Sequence, residues 1–347
     1  MRKVLHIDCD CFFAAVEMRD NPQFRHVPIA IGGYSDRRGV ISTCNYPARA
    51  YGVCSAMATA VAVKQCPDLI LLPSNMPLYR EISLQVMAII RRYGIAFEQV
   101  SVDEAYIEIN PADSAIDIGN RIRAEVEAEV GITVSVGAAP NKFLAKVASD
   151  WNKPNGLFAV KPHQVDAFVT QLAVRKIPGV GPKTAERLAQ KGIESCADVR
   201  QYSLLELVNL FGRTGASLYK RSRGLDDRCL TSDRVRKSIS VEHTFAKDLY
   251  LANEIEEKAE DLWLKFLART EKANIDCRSL APFVKVKFNN FSQTTLADQL
   301  MQPSLDSFCQ LLRQARLRHD SDETQGVRLI GLGGRCPEVS EQQLALF

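Results

Sequence analysis

The sequence predicts a multidomain α+β protein, and three observations carry that expectation. The chain of 347 residues is too long for one compact core and suggests two to four domains. Through about residue 165, short apolar runs of strand length are interspersed with stretches of helical period. The character turns helical from about residue 166, and a new strand-and-helix unit opens at RVRKSISVEHTF, residues 234–245.

KVLHID at 3–8 is a short apolar run ending in an acid, which predicts a buried strand with Asp8 at its C-terminal edge. CFFAAVEM follows as a helix, and Asp10 is read as its N-cap rather than as a metal ligand. VPIAI at 27–31 and GVIST at 39–43 are two further strands, and residues 46–57 read as loop plus short helix. Leu78, Ile82, Val86 and Ile89 share one face of a helix from about 78 to 93.

In FEQVSVDEAYIEI, residues 97–109, Val100 and Val102 are apolar on even positions, but Ala105, Ile107 and Ile109 on odd ones. Neighbouring side chains of a regular strand point to opposite faces. The phase change therefore marks a turn or bulge that lets Asp103 and Glu104 aim at one site. A helix through Ile118, Ile122, Val126 and Val130 and a strand ITVSVGA at 132–138 complete what reads as one sheet with helices on its back. Beyond 166, KIPGVGPKTAERL lies in a region with eleven Lys/Arg against seven Asp/Glu over 166–228. The last unit holds a helix near 253–273, a strand at 282–288, a helix near 304–318 and a strand at 326–334.

The net charge of +3 neither requires nor excludes a nucleic-acid partner. The ten cysteines include no CxxC pair, and none of the five histidines joins a cysteine at zinc-finger spacing. The start MRKVLHIDCD lacks the apolar stretch of a secretory signal, and no run is long enough to span a bilayer. The expectation is a cytoplasmic protein with reduced thiols and no membrane partner.

Asp8, Asp103 and Glu104 are the first candidates for catalysis and metal binding, with Cys9 beside them in the metal set. Three carboxylates on neighbouring strand ends suit magnesium, which prefers hard oxygen ligands. Two such ions roughly 3.5–4 Å apart clamp the attacking and leaving oxygens of a phosphoryl displacement. Acids at strand edges are often only solvated, so spacing alone leaves this open.

HIDCDCFFAAVE at 6–17, GVISTCNYPARAYGV at 39–53, SVDEAYIEI at 101–109, SVGAAPNKFLAKVASDWNKPNG at 135–156 and IPGVGPKTAERL at 177–188 resemble the motifs of Y-family translesion DNA polymerases, in that family's order. The resemblance runs to about residue 335. It implies a right-hand architecture: palm at 1–10 and 74–165, fingers at 11–73, thumb at 166–230 and a little finger at 231–336. It implies a low-fidelity, template-directed polymerase without proofreading, using two Mg2+ ions. The pattern favours a single-chain, bacterial-type enzyme over an accessory-dependent relative, and a monomer.

The resemblance also assigns Thr43, Tyr46, Arg49 and Lys153 to the incoming deoxynucleoside triphosphate. Arg can grip two phosphate oxygens while Lys acts as a point charge. Phe13 matches the steric gate that excludes a ribose 2′-hydroxyl, whereas Phe12 reads as core. Small residues near Ser55, Ala56 and Met57 match the segment over the template base, where loose walls reject misfits poorly. Gly179, Gly181 and Lys183 fall in a helix-hairpin-helix suited to the phosphates of primer-template DNA. RVRKS at 234–238 and the lysines of FVKVKF are further candidates for DNA contact. In the tail at 337–347, Gln343, Leu344, Leu346 and Phe347 resemble a sliding-clamp-binding peptide. A two-metal nuclease would share the acids and the hairpin, but has no use for a triphosphate grip or a sugar gate. A non-enzymatic DNA-binding module would not need the acids.

Overall fold

A computed structural model describes residues 2–232, 235–320 and 324–337. They fall into two compact units. The first comprises 2–32, 41–57 and 61–232, and the second 33–40, 58–60, 235–320 and 324–337.

The first unit opens with β1 (Val4–Cys9) and α1 (Phe12–Asp20). A small sheet follows, built from β2 (Ile29–Gly32) and β3 (Ile41–Cys44), with α2 (Tyr46–Ala50), α3 (Thr59–Gln65) and β4 (Ile70–Leu72) after it. β2 is its central strand, antiparallel to β3 and parallel to β4. α3 and β4 were not anticipated: TAVAVKQ and ILL are too short to distinguish strand from helix by period.

The main sheet adds β5 (Ala96–Gln99), β6 (Glu104–Glu108), β7 (Val134–Ala139) and β8 (Leu157–Ala159), in the order β5-β6-β1-β7-β8. Its helices are α4 (Met76–Arg91), α5 (Ala115–Val130) and α6 (Lys142–Ser149). Leu5 and Ile7 face one core with Ala105, Ile107, Val134 and Val136, against Val86 and Ile90 of α4 and Ile122 and Val126 of α5. Val4 and Tyr106 face a second core with Phe143, Leu144 and Val147 of α6. β1 thus turns its odd-numbered residues to α4 and α5, and Val4, His6 and Asp8 to the side of α6.

The phase change at 100–104 is the turn between β5 and β6. Val100 N–H donates to Glu104 O at 3.0 Å, and Ser101 Oγ accepts from the amides of Asp103 and Glu104 at 3.2 and 3.1 Å. The Asp10 expectation is corrected. Cys11, in the left-handed region at φ 42°, holds the cap position of α1, and no side chain caps that helix. The Asp10 carboxylate instead accepts from the hydroxyls of Thr133, just before β7, at 2.9 Å and of Ser135, in β7, at 2.8 Å.

The rest of this unit is helical: α7 (Val165–Thr170), α8 (Pro182–Ala189), α9 (Cys196–Arg200), α10 (Leu204–Phe211) and α11 (Arg213–Arg221). In the second unit, β9 (Ser238–Leu249), β10 (Ala281–Phe288), β11 (Gln293–Ala297) and β12 (Val327–Arg335) form an antiparallel sheet, with α12 (Ala252–Lys272) and α13 (Leu305–His319). Val284, Val286 and Phe288 share a core with Phe266 and Phe308 of the helices. Lys285 and Lys287 take the opposite face by strand alternation.

Candidate active site

The antiparallel register sets Asp8 directly opposite Glu104, and His6 opposite Tyr106. Directly opposed side chains share a face with Cβ atoms about 4.5–5.5 Å apart, and like charges there repel. α6 supplies an answering charge, because Lys146 pairs with Glu104. Lys153 supplies another, with Nζ 2.6 Å from Asp8 Oδ1 and 3.0 Å from Asp150 Oδ1. Two ammonium groups thus balance the two opposed carboxylates.

His6, Asp8 and Glu104 each bring a ligand atom within 4.8 Å of the others. Asp103 is outside that cluster. Its main-chain oxygen accepts from Cys9 N–H at 2.9 Å, and its side chain lines a cleft with Asp8 while bonded to Ser101. The structure therefore brings Asp8 close to Glu104 and puts Asp8 and Asp103 on one cleft, but does not gather all three around one point. His6 was missed in the sequence. Its available signal was its position two residues before Asp8 on the same strand face. Its Nδ1 shares a 2.8 Å hydrogen bond with Ser149 Oγ. Its Nε2 is 3.3 Å from Glu104 Oε2, yet lies off the line of a hydrogen bond.

Burial raises the Asp8 carboxyl, against the opposing pull of Lys153. Burial would lower Lys153, but Asp8 and Asp150 outweigh it and raise that group. These shifts draw the proton of the pair in opposite senses; an ammonium held by two carboxylates favours the charged pair. Burial also works upward on Glu104, but contacts from His6 and Lys146 overcome it and hold the carboxyl at about 2. Burial keeps His6 below its ordinary range. The Cys9 thiol is pushed far up by burial and then by Asp103 and Asp8, so it stays a thiol.

Phe13, Thr43, Arg49, Ser55 and Lys153 line the same cleft as Asp8, Cys9 and Asp103. Phe12 is buried in the core, as expected, whereas Phe13 is half-buried and stacks on Tyr79 with centroids 4.4 Å apart and planes 14° from parallel. Tyr79 is fully buried, and its hydroxyl donates to Glu17 at 2.6 Å. Arg49 is exposed, its guanidinium 4.8 Å from the Tyr46 ring centroid. Tyr46 turns its hydroxyl toward Asp10. Ala56, next to Ser55, is exposed, and Met57 is half-buried.

Away from the cleft, Gly179 has φ +96° and Gly181 precedes Pro182 at the start of α8. No atom lies within 4 Å of a Cβ built on either glycine. Tight packing within the chain is therefore not what calls for glycine there. Lys183 is exposed in the first turn of α8. Lys285 pairs with Glu242 at 3.0 Å, and Lys287 stands over the Phe291 ring. Arg234, in RVRKS, and Gln343, Leu344, Leu346 and Phe347 lie outside the described residues.

Carboxylates that already hold cationic side chains, beside a cleft lined by Arg and Lys, can take hard cations and a polyphosphate. Among the described residues no helix is long and apolar enough to cross a membrane.

Comparison with known proteins gives three family-model matches. Residues 7–150 match the impB/mucB/samB family, 175–226 match the thumb domain of DNA polymerase-iota, and 236–346 match the impB/mucB/samB C-terminal domain. DNA polymerase IV of Ectopseudomonas mendocina (strain ymp) is 47% identical over 352 residues, covering 100% of this chain and 99% of that protein. DNA polymerase IV of Shewanella baltica (strain OS195) is 48% identical over 336 residues, covering 96% and 93%. Among solved structures, a Y-family DNA polymerase chimera of Dbh and Dpo4 superposes with a TM-score of 0.84 at 28% identity, covering 96% of this chain and 98% of that one. An insertion ternary complex of Dbh DNA polymerase gives 0.65 at 27% identity over the same shares.

Proposed function

Because the chain belongs to the Y family of DNA polymerases and is a template-directed translesion enzyme with the right-hand fold, we propose that Asp8, Asp103 and Glu104 form its catalytic centre and that the adjoining cleft holds the incoming deoxynucleotide. The observation that carries this is the in-register pairing of Asp8 with Glu104, beside a cleft where Asp8 and Asp103 meet Phe13, Thr43, Arg49 and Lys153.

The enzyme acts on primer-template DNA and deoxynucleoside triphosphates with divalent metal, and we take the metal to be two Mg2+ ions. Asp8, Asp103 and Glu104 offer the hard oxygens such ions prefer. Cys9, a thiol in a buried strand, suits them only through its main-chain oxygen. Bound there, the ions would activate the primer 3′-hydroxyl and neutralise charge on the leaving pyrophosphate. The protein's own part is to bind and orient. Lys153 would move from Asp8 to the phosphates, Arg49 would grip two phosphate oxygens, and Thr43 and Tyr46 would add hydroxyl contacts. Phe13, braced on Tyr79, would exclude a 2′-hydroxyl.

On the same reading, the palm takes 1–10 and 74–165, the fingers 11–73, the thumb 166–230 and the little finger 231–336. The thumb turn at Gly179, Gly181 and Lys183 holds DNA by its phosphates. The terminal peptide with Gln343, Leu344, Leu346 and Phe347 docks on the sliding clamp. The chain works in the cytoplasm as a monomer and carries no proofreading site.

Primer extension tests the centre, with Mg2+, an undamaged template and each nucleotide in turn. Wild type should add the templated base, and Asp103→Ala should lose at least about 100-fold in rate while still binding DNA. Full activity in Asp103→Ala, or extension by wild type without any divalent ion, would sink the assignment.

A further inference from the structure

Asp10 is 1% exposed, and four donors converge on its carboxylate. Oδ1 accepts from the Ser135 hydroxyl at 2.8 Å and, more weakly, from the Tyr46 hydroxyl at 3.5 Å. Oδ2 accepts from the Thr133 hydroxyl at 2.9 Å and from Asn155 N–H at 2.8 Å. Ser135 Oγ in turn accepts from Gly156 N–H at 3.3 Å. A buried carboxylate is costly unless hydrogen-bonded, and all of these donors are neutral. A simple helix cap needs neither such burial nor three elements distant in sequence.

What the donors belong to is informative. Asn155 is two residues after Lys153, in a turn with φ 47°, so its amide fixes the backbone that carries the lysine. Tyr46 opens α2, whose Arg49 lines the cleft. Ser135 lies in β7, paired with Asp8 of β1, and Thr133 directly precedes β7, so the main sheet is the rigid reference for both. We propose that Asp10 is a positioning residue for nucleotide binding: a buried carboxylate that fastens the Lys153 turn to the sheet and holds the Tyr46 hydroxyl within reach of the triphosphate. This rests on the reading of Lys153 and Tyr46 as phosphate contacts.

The chemistry specifies a carboxylate. Only an ionised acid accepts at both oxygens; asparagine must present a donor at one of them. With its amide oxygen toward Thr133 and Asn155, Asp10→Asn would aim N–H groups at Ser135 and Tyr46, whose hydroxyls must then rotate. The Tyr46 hydroxyl has one proton, held in the free protein by the longest of the four bonds. An arriving phosphate oxygen can take it, and Asp10 keeps its three shorter bonds.

The test measures affinity for a templated, non-incorporable deoxynucleotide on the full chain bound to primer-template DNA, with kcat, KM, DNA affinity and melting temperature in parallel. Asp10→Asn should raise the nucleotide Kd and KM about tenfold, move kcat less, and leave DNA affinity within about twofold. Thr133→Val keeps the carboxylate but deletes one anchor, and should shift KM the same way by a smaller factor; it carries the test if Asp10→Asn fails to fold. Lys153→Met reports on the underlying reading. If it leaves nucleotide affinity unchanged, the phosphate-contact assignment fails. If it weakens affinity while Asp10→Asn and Thr133→Val do not, this inference alone fails. A lower melting temperature with kcat reduced and KM unchanged would also overturn it, since that is what a purely structural side chain gives.

Discussion

Phe13 shows how a single side chain gains a function from what stands behind it. Its ring lies nearly parallel to Tyr79, which is buried and tied to Glu17. The ring therefore has little freedom to yield to a bulkier sugar. Phe13→Val should raise the ratio of ribonucleotide to deoxynucleotide kcat/KM by about 100-fold, the scale on which an apolar wall senses one added hydroxyl. An unchanged ratio from single-nucleotide incorporation would remove Phe13 from the gate. At this scale the sequence was informative where strand alternation speaks. An acid closing one strand and a phase change before another single out Asp8, Asp103 and Glu104 as candidates. It was silent on their partners. Lys146 pairs with Glu104 from 42 residues away and Lys153 with Asp8 from 145 residues away, and the register that faces Asp8 with Glu104 is a tertiary fact. Asp10 was misread because a helix follows it, and local capping chemistry was the only partner in view.

At the scale of elements, the long periodic helices α4, α12 and α13 were legible to within about two residues, and the buried stripe of α5 was read without its ends. Short elements such as α3 and β4 were not, because their stability comes from packing rather than pattern. The N-terminus of α6 shows such packing. Asp226, following α11, accepts from Phe143 N–H at 2.9 Å and pairs with Arg221 at 2.7 Å and Arg228 at 2.9 Å, with its side chain 1% exposed. Burial pushes this carboxyl upward, but Arg228 and Arg221 together overcome that and hold it well below the usual carboxylate range. A folded-state pKa below the unfolded value of about 3.9 gives stability that is present above that pH and is lost as pH falls toward the folded value. Removing one partner of a buried ion pair costs about 3–5 kcal/mol. Asp226→Ala should therefore unfold at a clearly lower temperature than wild type at pH 7. The gap should narrow below about pH 4, where wild type loses the same interaction. Calorimetry across that range checks it; equal melting temperatures at pH 7 would show that the staple contributes nothing.

For the molecule as a whole, the question is how a chain with a net charge of only +3 holds a polyanion. The excess of base lies where phosphate contact is proposed: eleven Lys/Arg against seven Asp/Glu over 166–228, around the open Gly179–Gly181 turn. Lys285 is partly neutralised by Glu242, so the sheet of the second unit offers less free charge than its sequence suggests. Binding of this kind is driven by counterion release, and a few phosphate contacts imply an affinity that falls about tenfold or more between roughly 50 and 200 mM salt. Synthesis by the chain alone should fall with it. A sliding clamp held by the terminal peptide would act differently, because tethering replaces affinity with a high local concentration. Clamp loaded on the primer should thus restore synthesis at the higher salt. Deleting residues 343–347 should abolish that rescue and leave low-salt synthesis intact. Salt-independent DNA affinity would refute the phosphate mechanism. Rescue that survives the deletion would refute the tether, and loss of low-salt synthesis on deletion would make the tail a structural part of the enzyme.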